Sequence, residues 1–183
     1  MSELVADSSY KSLAEAIKGT QAPDSITESL ALIDVEYLSF DGQLHRGQFV
    51  LHKELEKEVR EIFSALLEMR FPIERAVPVV AYGWDDERSM ADNNTSGFNY
   101  REIIALDTLS NHSFGRALDI NPRLNPYHAY DGRVYPAGAT LNPEALGTIT
   151  ANSPVVSLFK ERGWKWLGDR ARMPDYQHFE KPL

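Results

Sequence analysis

Apolar and polar positions alternate along this chain with two different periods, and the switches between them divide it into elements. Tyr10, Leu13, Ala14 and Ile17 fall at i, i+3, i+4 and i+7, which predicts a short helix capped by Ser9 and ended by Gly19. Thr20 to Ser25 reads as a linker. Ile33, Val35 and Tyr37 then alternate with Asp34 and Glu36, the pattern of a half-buried strand. Asp41-Gly42 marks a turn, and Gln48 to Leu51 is placed to pair back. The clearest helix runs from about Lys53 to Arg70. Leu55, Val59, Ile62, Phe63 and Leu66 line one face, Glu54, Lys57, Glu58, Glu61 and Glu68 cover the other, and Pro72 stops it.

Beyond that helix, Val77 to Tyr82 reads as a buried strand and Asp85 to Ser96 as a polar loop. Phe98 to Ile104 and Ala117 to Ile120 read as further strands. Asn121 to Asn142, rich in proline and glycine, reads as a long surface loop of the kind that often carries function. Ser153-Pro154 places a cap before proline at a first helical position, and Gly163 closes that helix. Trp164 to Leu167 and Gln177 to Glu180 supply the last strands. Helices mixed with mainly antiparallel strands indicate an α+β fold, a sheet with flanking helices.

Composition narrows the function classes. The 183 residues suit one domain spanning 1–183, with 1–30 as a helical extension and linker. Hydrophobic content of 43% and charged content of 25% are ordinary for a globular protein. A net charge of −8 speaks against general nucleic-acid or anionic-membrane binding. There is no cysteine, so disulfides, thiolate metal sites and a cysteine nucleophile are excluded. No run of 18 apolar residues exists, so no membrane-spanning helix is expected. Met1 to Ser9 shows no signal peptide, which points to the cytoplasm, or to the periplasm or exterior if the chain is a trimmed exported form.

The chemistry-bearing stretch is Ser110-Asn111-His112-Ser113-Phe114-Gly115-Arg116-Ala117-Leu118-Asp119, joined by Asp175-Tyr176-Gln177-His178-Phe179-Glu180. His112, Asp119 and His178 would give two imidazoles and one carboxylate, a metal set that leaves room for a water. His112 and Asp119 lie seven apart and would face opposite sides of a straight strand, so the chain must bend between them, and Gly115 permits the bend. His45, His52 and His128 have no such partners and read as packed, hydrogen-bonded histidines, although His128, in the long loop, could touch substrate. Asp85, Asp86, Asp92, Asn93 and Asn94 do not have the spacing of a calcium loop and read as solvated.

The pattern Ser110-x-His112-x-x-Gly115-x-Ala117-x-Asp119, followed by Asp175-x-x-His178, resembles the zinc D-Ala-D-Ala carboxypeptidase and L-Ala-D-Glu endopeptidase family, which shares the hedgehog-type fold. The likeness runs from Ile33 to Glu180 and includes Asn94 to Arg101 and Gly163-Trp164-x-Trp166. It implies one zinc ion held by His112, Asp119 and His178, with Asp175 as general base and Arg101 steadying the substrate carbonyl or carboxylate. It also implies peptidoglycan-derived peptides as substrates. Leu167-Gly168 stands where relatives often have two glycines, which bears on the pocket wall.

Residue chemistry bears on each of these roles. Hydrolysis needs a base that takes a proton from water and returns it to the leaving amine. Asp175, on a turn after Pro174, competes for that role with Glu180, which shares a strand face with His178 and is also suited to orienting its imidazole. The ordinary reading of Asp175 is a solvated turn carboxylate, and that of Arg101 a surface salt bridge. Ser110 is a candidate hydrogen-bonding partner of the substrate, and Trp164 and Trp166 read as core or pocket wall. Two rival functions remain in view. Non-heme iron oxygenases use two histidines and a carboxylate, but their first pair is normally one residue apart and here six intervene. A non-catalytic, metal-containing binding module on the same fold is the other, and the acid at Asp175 argues against it.

Overall fold

The structure, a computed structural model, describes residues 4–103 and 107–182. The strands are β1 (Val5–Ala6), β2 (Leu30–Leu38), β3 (Leu44–His52), β4 (Arg75–Ala76), β5 (Asn94–Thr95), β6 (Ala117–Asp119), β7 (Tyr127–His128), β8 (Val134–Tyr135), β9 (Lys165–Trp166) and β10 (His178–Glu180). The helices are α1 (Leu13–Ala16), α2 (Asp24–Thr27), α3 (Glu56–Glu68), α4 (Asp86–Ala91) and α5 (Pro154–Lys160). The architecture is mixed α and β with small sheets. The β2–β3, β6–β10, β9–β10 and β7–β8 pairings are antiparallel, whereas β1–β3 and β4–β5 are parallel.

The β2–β3 hairpin is the frame. Its register runs from Leu30 opposite His52 to Leu38 opposite Leu44. The turn closes through Asp41, whose carboxylate accepts from Gln43 N at 2.8 Å, and through Gly42 in the left-handed region at φ 80°. Ile33, Val35 and Tyr37 are buried while Asp34 and Glu36 are exposed, as the alternation predicts. β3 is buried on both faces. Phe49 and Leu51 enter the main core, whereas Val50 joins a smaller cluster with Ala16, Leu30 and Phe98. Residues from the first thirty contribute to that smaller cluster, because Tyr10, Leu13, Ile17 and Ile26 pack on it.

α3 lays Val59, Ile62, Phe63 and Leu66 on the hairpin, with Phe63 and Phe49 centroids 5.0 Å apart. Each such fully buried side chain contributes roughly 1.5–3 kcal/mol over exposure. The helix ends at Glu68, four residues before Pro72. Arg70 turns left-handed at φ 53°, and Phe71 N donates to Leu66 O at 2.9 Å, satisfying a terminal carbonyl. α5 begins at Pro154, and its Phe159 stacks on Phe179 at 4.1 Å. Phe179 lies opposite Leu118 on β6 and Trp166 on β9, which seats the small β6–β10–β9 sheet on the core.

Several sequence expectations need correction. The first helix is capped by Ser12, not Ser9, since Ser12 Oγ accepts from Glu15 N. The 20–25 stretch ends inside α2, which starts at Asp24. Val77 to Tyr82 is no strand. Pro78 has no N–H to give a ladder, and Val79–Tyr82 coils into a single 3-10 turn closed by Gly83 at φ 67°. The polar stretch from Asp85 holds α4 and β5, because Asp85 accepts from Arg88 N at 3.0 Å and so caps a helix. From Phe98 to Ile103 there is one isolated bridge, Glu102 with Leu109, and no strand; Ile104 lies outside the described residues. The 121–142 loop contains the β7–β8 hairpin. Its start is pinned from inside, where Asn125 Nδ2 donates to Ile120 O, Asn121 O and Gly147 O.

The bend at Gly115 is the local feature that places the chemistry. Its φ is 63°, and a side chain there would meet His52 N at 2.6 Å. Left-handed geometry costs an L-residue roughly 1–2 kcal/mol. We expect Gly115→Ala to lower the melting temperature by roughly 4 °C or more, measured by circular dichroism, and to retain less metal after dialysis. An unchanged melting curve would show that the bend does not require glycine.

Candidate metal centre and cleft

His112 is delivered by a turn. Ser110 is extended, and its Oγ accepts from His112 N at 3.3 Å, starting the 3-10 turn Asn111–Phe114. Gly115 N closes the turn on His112 O at 3.0 Å and sends the chain into β6. The imidazole is oriented by Gly97, whose carbonyl accepts from Nδ1 at 2.5 Å. A carbonyl can only accept, so Nδ1 carries the hydrogen and Nε2 carries the lone pair.

His178 and Asp119 meet through sheet register. They are direct partners across the antiparallel β6–β10 pair and so project from the same face. The adjacent Leu118 and Phe179 point the other way, into the core. His178 Nδ1 lies 2.9 Å from Asp119 Oδ1. Its Nε2 lies 3.4 Å from Glu180 Oε2. Glu180 is itself held by Asn111 Nδ2 at 2.7 Å. Contact with His178, working against partial burial and helped by Asn111, lowers the Glu180 carboxyl to about 2. An ionised Glu180 accepts only, which assigns a hydrogen to His178 Nε2 and leaves Nδ1 as the ring atom that could face a cation.

Three lone-pair atoms therefore converge. His112 Nε2 is 3.1 Å from His178 Nδ1 and 3.1 Å from Asp119 Oδ2. All three residues are buried. Facing lone pairs repel unless positive charge lies among them, so this donor set fits a cation. Separations near 3 Å suit ligands about 2.0–2.1 Å from a tetrahedral ion. Titration places positive charge at the same point, held there by a proton on His178 that a bound cation would displace. Burial alone would raise the Asp119 carboxyl, but His112 and then His178 hold it far below the usual range. Burial disfavours charge on His178, yet Asp119, then Glu180 and Asp175, raise it to about 10. Among the described residues this is the one His, Asp and Glu group in reach of a single ion.

The centre opens on a cavity of ≈ 300 Å³ that Arg101, Ser110, Asp119, Asp175, His178 and Glu180 help to line. Asp175 sits on the turn after Pro174. Its backbone N donates to Leu167 O at 3.2 Å, and its Oδ1 is buried without a partner among the described residues. Burial pushes the Asp175 carboxyl up to about 6, against the pull of His178 and with repulsion from Asp119. It is thus a desolvated group, not the solvated carboxylate of the ordinary reading. Arg101 reaches the cavity and also pairs with Asp86 at 3.1 Å. Ser110 lines the cavity while capping the His112 turn. Leu167 forms part of the wall, and Gly168 lies against the Trp166 indole, where a side chain would come within 2.1 Å.

The remaining sequence candidates lie elsewhere. Trp164 and Trp166 are buried and donate to Glu58 Oε1 and Tyr176 O. His45 bridges Asp7 and Asp41, His52 accepts from Glu54 N, and His128 packs edge-on against Tyr176. Asp92 serves Arg75 and Tyr82. The Gly97 carbonyl, Asn111 and Asp86 were not legible as site residues. A backbone carbonyl leaves no trace in residue type, and nothing in the sequence pairs Asn111 with Glu180 or Asp86 with Arg101.

Residues 105–181 match the model of a family described as D-alanyl-D-alanine carboxypeptidase. No curated protein and no solved structure matches the chain. The carboxypeptidase match contains His112, Asp119, Asp175, His178 and Glu180, and it begins after α4 and Arg101. It supports a peptidase, and the buried triad is a candidate metal site.

Each part of the centre makes a separable prediction. His112→Ala and His178→Ala should each lose bound metal on dialysis, read by elemental analysis. Glu180→Gln removes the carboxylate charge that fixes His178 and should weaken metal affinity by ~10–100-fold while the fold survives. If both histidine variants keep their full metal complement, the ligand set is wrong.

Proposed function

We propose that this protein is a zinc-dependent hydrolase of bacterial cell-wall peptides containing D-amino acids, of the D-Ala-D-Ala carboxypeptidase or L-Ala-D-Glu endopeptidase type. The observation that carries the proposal is the convergence of His112 Nε2 and His178 Nδ1, 3.1 Å apart and each within 3.1 Å of one of the two Asp119 carboxylate oxygens, beside a cavity that also receives Asp175 and Arg101. The match of residues 105–181 to the carboxypeptidase family supports the substrate class. His112, Asp119 and His178 would hold one zinc ion, which when bound acidifies a water and polarises a carbonyl.

The chain's own groups supply the rest. Asp175 takes the proton of the attacking water and returns it to the leaving amine. A desolvated carboxyl raised to about 6 is suited to that exchange near neutral pH, because it gives and takes a proton more readily than a solvated aspartate. Arg101 presents a guanidinium to the carbonyl or carboxylate of the peptide, two-pronged where geometry permits. Glu180 is engaged by His178 and Asn111, which suits it to orienting the ligand and leaves the base role to Asp175. Leu167 and the β7–β8 hairpin, whose Tyr127 and Tyr135 also line the cavity, shape the peptide's seat.

The decisive experiment separates binding from turnover. Asp175→Ala should keep its zinc but hydrolyse peptides at least ~100-fold more slowly, since a positioned base is worth that much. Defined L-Ala-D-Glu and D-Ala-D-Ala muropeptides, offered beside an all-L peptide of similar size, should be the ones cut, with fragments read by mass spectrometry. Preferential cleavage of the all-L peptide would sink the substrate assignment. Loss of zinc in Asp175→Ala would make that residue a ligand instead of a base.

A further inference from the structure

One carboxylate at the edge of the cleft has both oxygens committed to the segment that carries Arg101. Asp86 Oδ2 lies 3.1 Å from Arg101 Nη2. Its Oδ1 accepts from Asn99 Nδ2 at 3.1 Å. Asp86 opens α4, and the Asp85 cap fixes the backbone from which it projects. Asp86, Glu87 and Met90 fall at i, i+1 and i+4 on α4, and all three line the cavity. The other side of the contact is equally fixed. Ser113 Oγ lies 2.9 Å from Arg101 N and 2.8 Å from Arg101 O, accepting from the first and donating to the second. Asn99 N donates to His112 O at 3.2 Å. The aspartate is therefore tied, through Asn99 and Arg101, to the turn that carries the metal-facing histidine.

A guanidinium on a flexible stem is a poor clamp until something fixes its plane. It carries five N–H donors in a rigid fork, but the stem must lose its rotamer freedom before the fork faces a ligand. A carboxylate set against one nitrogen supplies that restraint and leaves the remaining donors for a second carboxylate. We propose that Asp86, itself fixed by Asn99, is a positioning residue that sets the Arg101 guanidinium for the carboxylate of a peptide substrate. This rests on the reading of Arg101 as the substrate clamp. The family match begins after Asp86, Asn99 and Arg101 and assigns none of them a role.

The pairing has two opposing effects, and they give it a signature. Asp86 aims the guanidinium, which raises turnover. Its negative charge also offsets part of the field that attracts an anionic substrate. Removing the charge should therefore lower kcat without raising KM, unlike loss of the clamp itself, which should lower kcat and raise KM. Asp86→Asn keeps the size of the side chain and its acceptor for Asn99. We expect it to lower kcat ~10-fold on a muropeptide with a free terminal carboxylate, as a modest misplacement of a clamp does, with KM unchanged or lower. Asp86→Glu restores the charge and should recover part of kcat. In an Arg101→Ala background, Asp86→Asn should have no further effect, because the group it positions is gone. Zinc content and melting temperature, measured alongside, should match the parent in all of these variants. An unchanged kcat in Asp86→Asn, or a loss of the same size with and without Arg101, overturns the positioning role. Parent-like kinetics for Arg101→Ala would instead overturn the clamp reading on which it rests.

Discussion

The site depends on a single electrostatic constraint. Three ligand atoms must face one another in a buried place, where repulsion among their lone pairs is poorly screened. That arrangement stands only if each donor is locked from behind. Gly97 locks His112 through its carbonyl, Glu180 locks His178 through its carboxylate, and backbone register locks Asp119. These supports decide which nitrogen faces inward, and so they decide what the pocket can bind. An imidazole turned the other way would point an N–H at the centre and exclude a cation.

The same residues that build the core also set the site. On β10 the chain alternates His178, Phe179 and Glu180, so one face looks to the cleft and the other to the core. Phe179 stacked on Phe159 and paired opposite Leu118 holds β10 in register with β6. A slip of one residue would exchange the faces, placing Phe179 beside Asp119 and burying His178 among apolar side chains. Core packing is thus the source of positional accuracy at the centre. The β2–β3 hairpin does similar work from the opposite side, because His52 N donates to Gly115 O at 2.8 Å and Phe98 N to Val50 O at 2.8 Å.

What was legible in the sequence follows from how local each signal is. The alternation of Ile33, Val35 and Tyr37 and the apolar stripe of α3 depend only on neighbours a few residues away, and both elements form where the pattern puts them. His112, Asp119 and His178 stood out because residue type itself carries metal chemistry, and the structure brings them together. Val77 to Tyr82 reads as a strand because a short apolar run looks alike in a strand and in a buried turn, whereas Pro78 and Gly83 decide for the turn. Asp85 looked like loop polarity when it was a cap, and that hid the helix presenting Asp86 to the cleft. Arg101 was noticed for its type, while its partner was invisible, because a contact across 15 residues has no pattern of its own.

Sequence separation at the centre also governs when the protein becomes competent. His178 stands 59 positions from Asp119 and 66 from His112, whereas the β2–β3 hairpin closes over a few residues at Asp41 and Gly42. Contacts of such span form only after the intervening chain has surrendered most of its freedom. Strand and helix signals can therefore rise early from the hairpin and α3, while metal capture waits for β10 to dock against β6. Metal uptake after dilution from denaturant would thus be a clock for the last long-range step, and a preparation could look folded by its secondary structure before the candidate metal centre is assembled.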